Sequence, residues 1–485
     1  MSPAVLPGLV ERVDSALGEA LERSLSAHHR RRVRKVGWSR ALTADGDGWA
    51  TGGAPPREGN AIEVLIDGEQ ALARIAEAIA GARSHVHIAG WCVTPEFALT
   101  HGSPPTILRD LLADTAERLP VRVLLWAGAP LPFYPVSRRA VRQSRDALCE
   151  GNAITCALDR HERPMHCHHE KLVIVDDELA FVGGIDLTDF AGDRLDRAGH
   201  PARGRLGWHD VATVLRGPVV ADVARHFALR WHEVTRERLP EPCEAGPAGG
   251  EELQIVRTVP ESIYEALPRG EFSILESYLG ALRSAQRLIY LENQFLWSAE
   301  VVAVLRDKLR RPPHDRFRLL LVLPAKPNSG ADDTTGQLAL LADADDGAGR
   351  LLACTRYALA GGATDRVYVH AKVGIVDDRW LTVGSANLNE HSLFNDSEMN
   401  VVSHSPELAR GTRLRLWSEH LERPAEGLAG DPATLIDELW RPLATEQLER
   451  RKAGAPLTHG LVRLPHVSRR SKRLLGPLQS LLVDG

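Results

Sequence analysis

The sequence predicts an α/β protein made of two similar mixed-sheet α/β/α units, related by a pseudo-twofold axis and sharing one active site. Three observations predict it. At 485 residues the chain is too long for one ordinary core. Strand-like apolar runs alternate with helical patterns, which implies mixed sheets with helices on their faces. The same order of elements, carrying the same polar cluster, occurs twice.

Taken in order, Leu9, Val13, Leu17, Leu21 and Leu25 recur at helical spacing across residues 9–35, followed by the basic run from His28 to Arg32. This predicts an amphipathic helix, either docked on the main body or lying on a membrane surface. A Gly/Pro/Asp-rich linker spans 43–60, closing an N-terminal region of residues 1–60. The first unit, 61–240, reads as helix (GEQALARIAEAIAGA) and three strands (HVHIAGW, VRVLLW, KLVIVD). A fourth strand (HDVATVL) and a helix (VVADVARHFALRWHEV) complete it. A second break at 239–251 leads to the second unit, 252–425. There the order is helix (ILESYLGALRSA), three strands (LIYLENQF, FRLLLVLP, AKVGIVD), strand (EMNVVSH) and helix (ELARGTRLRLWSEHL). The remainder, 426–485, ends in a basic cluster (Arg469, Arg470, Lys472, Arg473) beside Leu474, Leu475, Leu478, Leu481 and Leu482. Such a segment suits either an anionic membrane surface or packing on the enzyme's own body.

Composition narrows the function classes. The chain is 44% hydrophobic and 25% charged, with net charge -5 and pI near 6.5, where a nucleic-acid partner would favour a basic protein. Six scattered cysteines without CxxC spacing fit a reducing compartment. There is no signal-peptide pattern and no apolar run of spanning length, so the expectation is a cytoplasmic protein, peripheral to membranes at most.

The chemistry is concentrated at one point of each unit. His169-Glu170-Lys171 is followed by Leu172–Val175 and Asp176; His370-Ala371-Lys372 is followed by Val373–Val376 and Asp377. Both read H-x-K-x-x-x-x-D. At matching distances come Gly183-Gly184-Ile185-Asp186 and Gly384-Ser385-Ala386-Asn387. Strand alternation sends each His and its Lys to one face. Asp176 and Asp377 fall at the opposite parity, so they are expected to brace the strand ends. Ser385 and Asn387 share a parity and can line the site.

This set suits a phosphodiester. Attack at phosphorus adds charge to oxygens that are already anionic, and Lys171, Lys372 and Asn387 offer cations and a donor to meet it. One imidazole can attack phosphorus while the other moves protons. The cluster His166-Cys167-His168-His169 raises a metal site as an alternative. Alternation separates its neighbours, however, and no second ligand pair has zinc-like spacing, so no metal or cofactor is expected.

The duplicated motif resembles that of the phospholipase D superfamily. The second copy matches through Asn387. The first departs, with Gly184 for Ser and Asp186 for Asn, and is similar there to the eukaryotic-type enzymes. Gly90-Trp91, Trp208-His209-Asp210, Arg230-Trp231, Glu292-Asn293-Gln294-Phe295 and Asp396-Ser397-Glu398-Met399 extend the likeness over roughly 60–425. The resemblance implies a phospholipid head-group phosphodiesterase or phosphatidyltransferase, with His169 as nucleophile and His370 as acid/base. Ser385 and Asp186 would meet substrate. An acid on the strand after each motif would orient its histidine, Asp210 for the first and Glu398 for the second. The implied partner is a phospholipid at a membrane surface, not nucleic acid, and the expected state is a monomer. A nucleic-acid phosphodiesterase and a non-catalytic lipid binder are the alternatives; the acidic pI weighs against the former and the intact His/Lys pairs against the latter.

Overall fold

The computed structural model describes residues 5–130, 134, 136–164, 166–189, 207–327, 331–360 and 363–465. The apolar runs form strands. In the first half these are β1 (Arg57–Ile66), β2 (Val86–Gly90), β3 (Val121–Trp126), β4 (Thr155–Asp159), β5 (Leu172–Val175), β6 (Leu179–Gly183), β7 (Gly207–His209) and β8 (Val211–Arg216). The second half contributes β9 (Glu251–Val259), β10 (Glu271–Phe272), β11 (Leu288–Glu292), β12 (Arg318–Val322), β13 (Leu351–Ala360), β14 (Ala363–Val369), β15 (Val373–Val376), β16 (Trp380–Gly384) and β17 (Glu398–Ser403). The last strand is β18 (Leu461–Arg463).

Hydrogen bonding orders the first sheet β4-β3-β2-β5-β6-β8-β1, with β2, β3 and β4 parallel and the rest antiparallel. The second sheet runs β13-β12-β11-β15-β16-β17-β9 with the same pattern of directions. The two orders match strand for strand. β1 begins at Arg57, inside the Gly/Pro-rich stretch read as linker, and reaches across to β9.

Alternation along the strands builds three large cores among the described residues. Leu172 and Ile174 of β5 and Val373 and Ile375 of β15 point into a central cluster shared by both sheets. Helices Val220–Thr235 and Pro406–Leu421 add Phe227, Trp231, Leu416 and Trp417 to it. Val173 and Val175 face an outer core under helices of the first half, and Val376 faces its counterpart in the second. The described residues after 425 belong to this body. Ile436, Trp440 and Ala444 enter the central cluster, and β18 adds to β13. Residues 466–485, which hold the basic and leucine-rich cluster, lie outside the described residues.

The first helix spans Val5–Lys35. Its described part docks on the second half. Ser26 and Arg30 donate to Glu300 at 2.9 and 2.8 Å, and His29 Nδ1 lies 2.8 Å from Glu390. No helix among the described residues is long and apolar enough to cross a membrane.

Each motif aspartate sits where its strand ends. Asp176 and Asp377 take left-handed backbone conformations (φ 58° and 53°), which Asp tolerates better than most residues. The Asp176 carboxylate accepts the backbone N–H groups of Arg83, Ser84 and His85; that of Asp377 accepts those of Gln286, Arg287 and Leu288 at 2.7 Å each. These carboxylates thus tie the end of β5 to the entry of β2, and the end of β15 to that of β11. Charged hydrogen bonds of this kind contribute on the order of 1–3 kcal/mol each. We expect Asp377→Ala to destabilise the protein by roughly 2–4 kcal/mol, and Asp377→Asn by less, since Asn keeps an acceptor and tolerates positive φ. Denaturant unfolding measures both.

Candidate active site

The two histidines are positioned by a reciprocal exchange between the halves. Ahead of the first motif, His168 forms a parallel bridge with Ser397, and the His169 N–H donates to the Ser397 carbonyl at 2.9 Å. This sets Glu398 beside His169, with Nδ1 2.9 Å from Oε1. Ahead of the second motif, β14 pairs in parallel with β7, and the His370 N–H donates to the His209 carbonyl at 2.8 Å. This sets Asp210 beside His370, with Nδ1 2.7 Å from Oδ2. The carboxylates are therefore crossed: Glu398 serves His169 and Asp210 serves His370. The expectation that each acid orients the histidine of its own unit is corrected by this pairing. Strands of one half supply the acid, and the extended segment of the other half supplies the imidazole.

Local chemistry makes room for the exchange. A side-chain carbon at Gly184 would lie 2.1 Å from Asp210 Oδ1, so only glycine leaves space for that carboxylate. The corresponding residue of the second half is Ser385, whose hydroxyl donates to Glu398 Oε2 at 2.5 Å. Ser392 donates to the other oxygen, also at 2.5 Å.

The lysines lie against their own histidines. Lys171 donates to the His169 carbonyl at 2.5 Å and pairs with Asp186 at 3.1 Å. Lys372 donates to the His370 carbonyl and reaches Gln294 Oε1 at 3.3 Å. Asn387 Nδ2 approaches the same Gln294 oxygen at 3.4 Å, while its buried Oδ1 has no partner among the described residues. Asp186 also accepts the Trp91 N–H at 3.2 Å. An ionised carboxylate offers no donor to a phosphate, so Asp186 is placed to hold Lys171, whereas Asn387 can turn a donor toward an oxygen.

Burial sets the charges. The His169 imidazole is pushed down to about 3 by burial first, then by Lys171 and Lys372, so it is neutral near pH 7. That Lys372 acts on His169 places the second lysine in the first histidine's field. Burial pushes the Glu398 carboxyl well up, opposed by Lys171 and the two serine hydroxyls. Those hydroxyls and the His169 Nδ1–H are all donors, and the carboxylate form accepts every one. It fixes the His169 proton on Nδ1 and leaves the Nε2 lone pair free.

Three participants were not singled out from the sequence. Gln294 lies in a quoted motif, but its bridging of Lys372 and Asn387 depends on sheet packing. Ser392 carries no pattern of its own. His209 is buried between Asp67 Oδ1 (3.0 Å) and Glu292 Oε2 (2.7 Å), and His420 donates to the other Glu292 oxygen at 2.7 Å. These carboxylates, with Glu419, hold the His209 imidazole well above its ordinary range despite burial. Its neighbour Asp210 is thereby anchored from both halves. On the opposite face of the first motif, Glu170 pairs with Arg230 at 3.0 Å and His226 at 2.7 Å.

Comparison with known proteins agrees with this geometry. Residues 278–416 match the family model described as cardiolipin synthase, PLD-like domain. The chain is 26% identical to phospholipase D A of Dictyostelium discoideum, over 76% of this chain and 36% of the relative. It is 24% identical to phospholipase D1 of Schizosaccharomyces pombe (80% and 38%) and 25% identical to phospholipase D2 of Bos taurus (73% and 50%). The chain thus spans between about a third and a half of these relatives' length. Among solved structures, phosphatidylserine synthase of Haemophilus influenzae shares the fold, with a TM-score of 0.54 at 12% identity, covering 81% of this chain and 93% of that one. With two matched sheets and two H-x-K-x-x-x-x-D motifs meeting at one seam, the chain is similar over most of its length to these proteins named phospholipase D.

Proposed function

We propose that the chain is a phospholipase D-type phosphodiesterase that cleaves the head-group phosphodiester of a glycerophospholipid through a phosphohistidine. The observation that carries this reading is the pair of crossed His–carboxylate contacts, with both lysines beside them in one buried seam. The relatives named phospholipase D support phospholipid as the substrate class. The same reading has a monomer acting peripherally on the cytoplasmic side of a membrane. Arg23, Arg30, Arg31, Arg34 and Arg306 border one groove of about 590 Å³ on the docked first helix, a surface suited to anionic headgroups.

In the first step His169 Nε2 attacks phosphorus, the bond to the head-group oxygen breaks, and His370 gives its proton to that oxygen. In the second, His370 takes a proton from water or an alcohol, whose oxygen displaces His169 and forms phosphatidic acid or a phosphatidyl alcohol. Lys171, Lys372 and Asn387 meet the charge that develops on the phosphoryl oxygens. Glu398 stabilises the phosphoimidazolium on His169, and Asp210 stabilises the protonated state of His370.

The crossing gives this scheme a specific signature. Labelled phospholipid should leave its phosphoryl group on His169 after rapid quenching. Asp210→Asn should let the adduct accumulate, because it weakens His370 in the second step, whereas Glu398→Gln should suppress adduct formation. Adduct on His370 alone reverses the assignment. Replacing either histidine should lower turnover by roughly 10⁴-fold or more, and the double variant should lose no more than the single ones.

Since two lysines supply the charge a divalent ion would otherwise bring, turnover of a short-chain soluble phospholipid should continue in excess chelator. Abolition of turnover by chelator, with the protein still folded, would overturn the scheme.

A primary alcohol that enters the cleft should compete with water for the adduct. Phosphatidyl alcohol should then form alongside phosphatidic acid, in a ratio that rises with alcohol concentration and is read by chromatography. A complete lack of it at high alcohol would mean that only water reaches the adduct.

A further inference from the structure

Beside the catalytic histidines the same seam gathers a second set of ligating groups. His166, three residues before His169, comes from the first half; His391 and Asp396, the latter two residues before Glu398, come from the second. His166 Nδ1 lies 2.9 Å from His391 Nδ1 and 3.5 Å from Asp396 Oδ1, and the ligating atoms of all three fall within 4.8 Å of one another. Neighbouring donors around a tetrahedral ion with bonds of 2.0–2.1 Å stand roughly 3.3 Å apart. The two separations that involve His166, 2.9 and 3.5 Å, bracket that spacing.

The alternative is a plain hydrogen bond between two neutral imidazoles, with Asp396 Oδ1 serving the Cys167 N–H at 2.9 Å. That arrangement leaves Asp396 Oδ2 buried without a hydrogen-bond partner, although the residue is only 1% exposed. A buried carboxylate with an unbonded oxygen is costly, and a bound cation compensates it. The nearby cations do not supply that compensation, because Arg32 and Arg163 both pair with Glu261, at 2.6 and 2.8 Å. His166 faces a cavity of about 250 Å³ lined also by His28, Trp297 and Glu390, which offers an entry path and space for water as a fourth ligand. Two imidazoles and one carboxylate select a zinc-like transition ion over calcium or magnesium.

We propose that His166, His391 and Asp396 form a non-catalytic transition-metal site that clips the two halves together beside the catalytic seam. Binding needs no redox step and no net loss of protons from the rings: each imidazole keeps its proton on Nε2 and presents Nδ1. The sequence reading set metal aside because no second ligand pair had zinc-like spacing along the chain. Here the further ligands come from the other half.

The test uses the full chain, stripped with chelator and then titrated with Zn²⁺ by calorimetry and with Co²⁺ by visible absorption. The expected result is one Zn²⁺ per chain, a tetrahedral Co²⁺ band, and a Tm that rises with Zn²⁺. His166→Ala, at the cavity edge, should weaken Zn²⁺ binding at least about tenfold and abolish both the Co²⁺ band and the Tm shift. Its melt without metal establishes that it is folded, and His391→Gln repeats the test from the other half. Absence of stoichiometric binding to the wild-type chain, or binding unchanged in a folded His166→Ala or His391→Gln protein, would overturn the proposal.

Discussion

Everything at the site depends on two short stretches of backbone pairing between halves. One is the bridge from His168 to Ser397; the other is the pairing of β14 with β7. Each brings an acid of one half against an imidazole of the other, and neither half braces its own motif histidine. The geometry therefore follows from assembly of the sheets rather than from the motif. A slip of one residue in either pairing would turn the acid to the opposite face.

The seam is held by buried charge as well as by apolar packing. The His209 cluster joins Asp67 of the first half to Glu292 and His420 of the second. Asp159 accepts from Arg230 of its own half at 2.9 Å and from Tyr264 of the other at 2.6 Å. Buried ionic groups add little net stability over apolar packing, yet removing one partner leaves an uncompensated charge at a cost of about 3–5 kcal/mol. Such clusters penalise any near-miss in docking, which suits a site whose reacting groups must meet within tenths of an ångström. The Asp176 and Asp377 clamps do the same work within each half, fixing the strand end beyond each lysine.

Much of this was legible in the sequence because it is local. The H-x-K-x-x-x-x-D repeats, the apolar runs of β5 and β15 and the helices after β8 and β17 all follow from patterns a few residues long. The α/β class and the two similar units followed from their repetition. The crossed pairing was not legible, because nothing local distinguishes an acid that serves its own unit from one that serves the other. Gln294 and Ser392 were missed for the same reason: their partners lie far away in sequence. The burial of Trp440 and the pairing of β18 likewise arise from long-range packing that a mostly polar helical stretch does not announce.

The crossing also has a consequence for synthesis of the chain. His169 and Glu398 are separated by 229 residues, and Asp210 and His370 by 160. At ribosomal speeds of about 5–20 residues per second, the first motif waits on the order of ten seconds or more for its acid to be made. Through that interval the first half can build its sheet and its outer core, but His169 has no carboxylate to set its tautomer. His169 gains its carboxylate only when the second sheet is complete, so the emerging chain carries an unbraced imidazole until Glu398 has been made and paired.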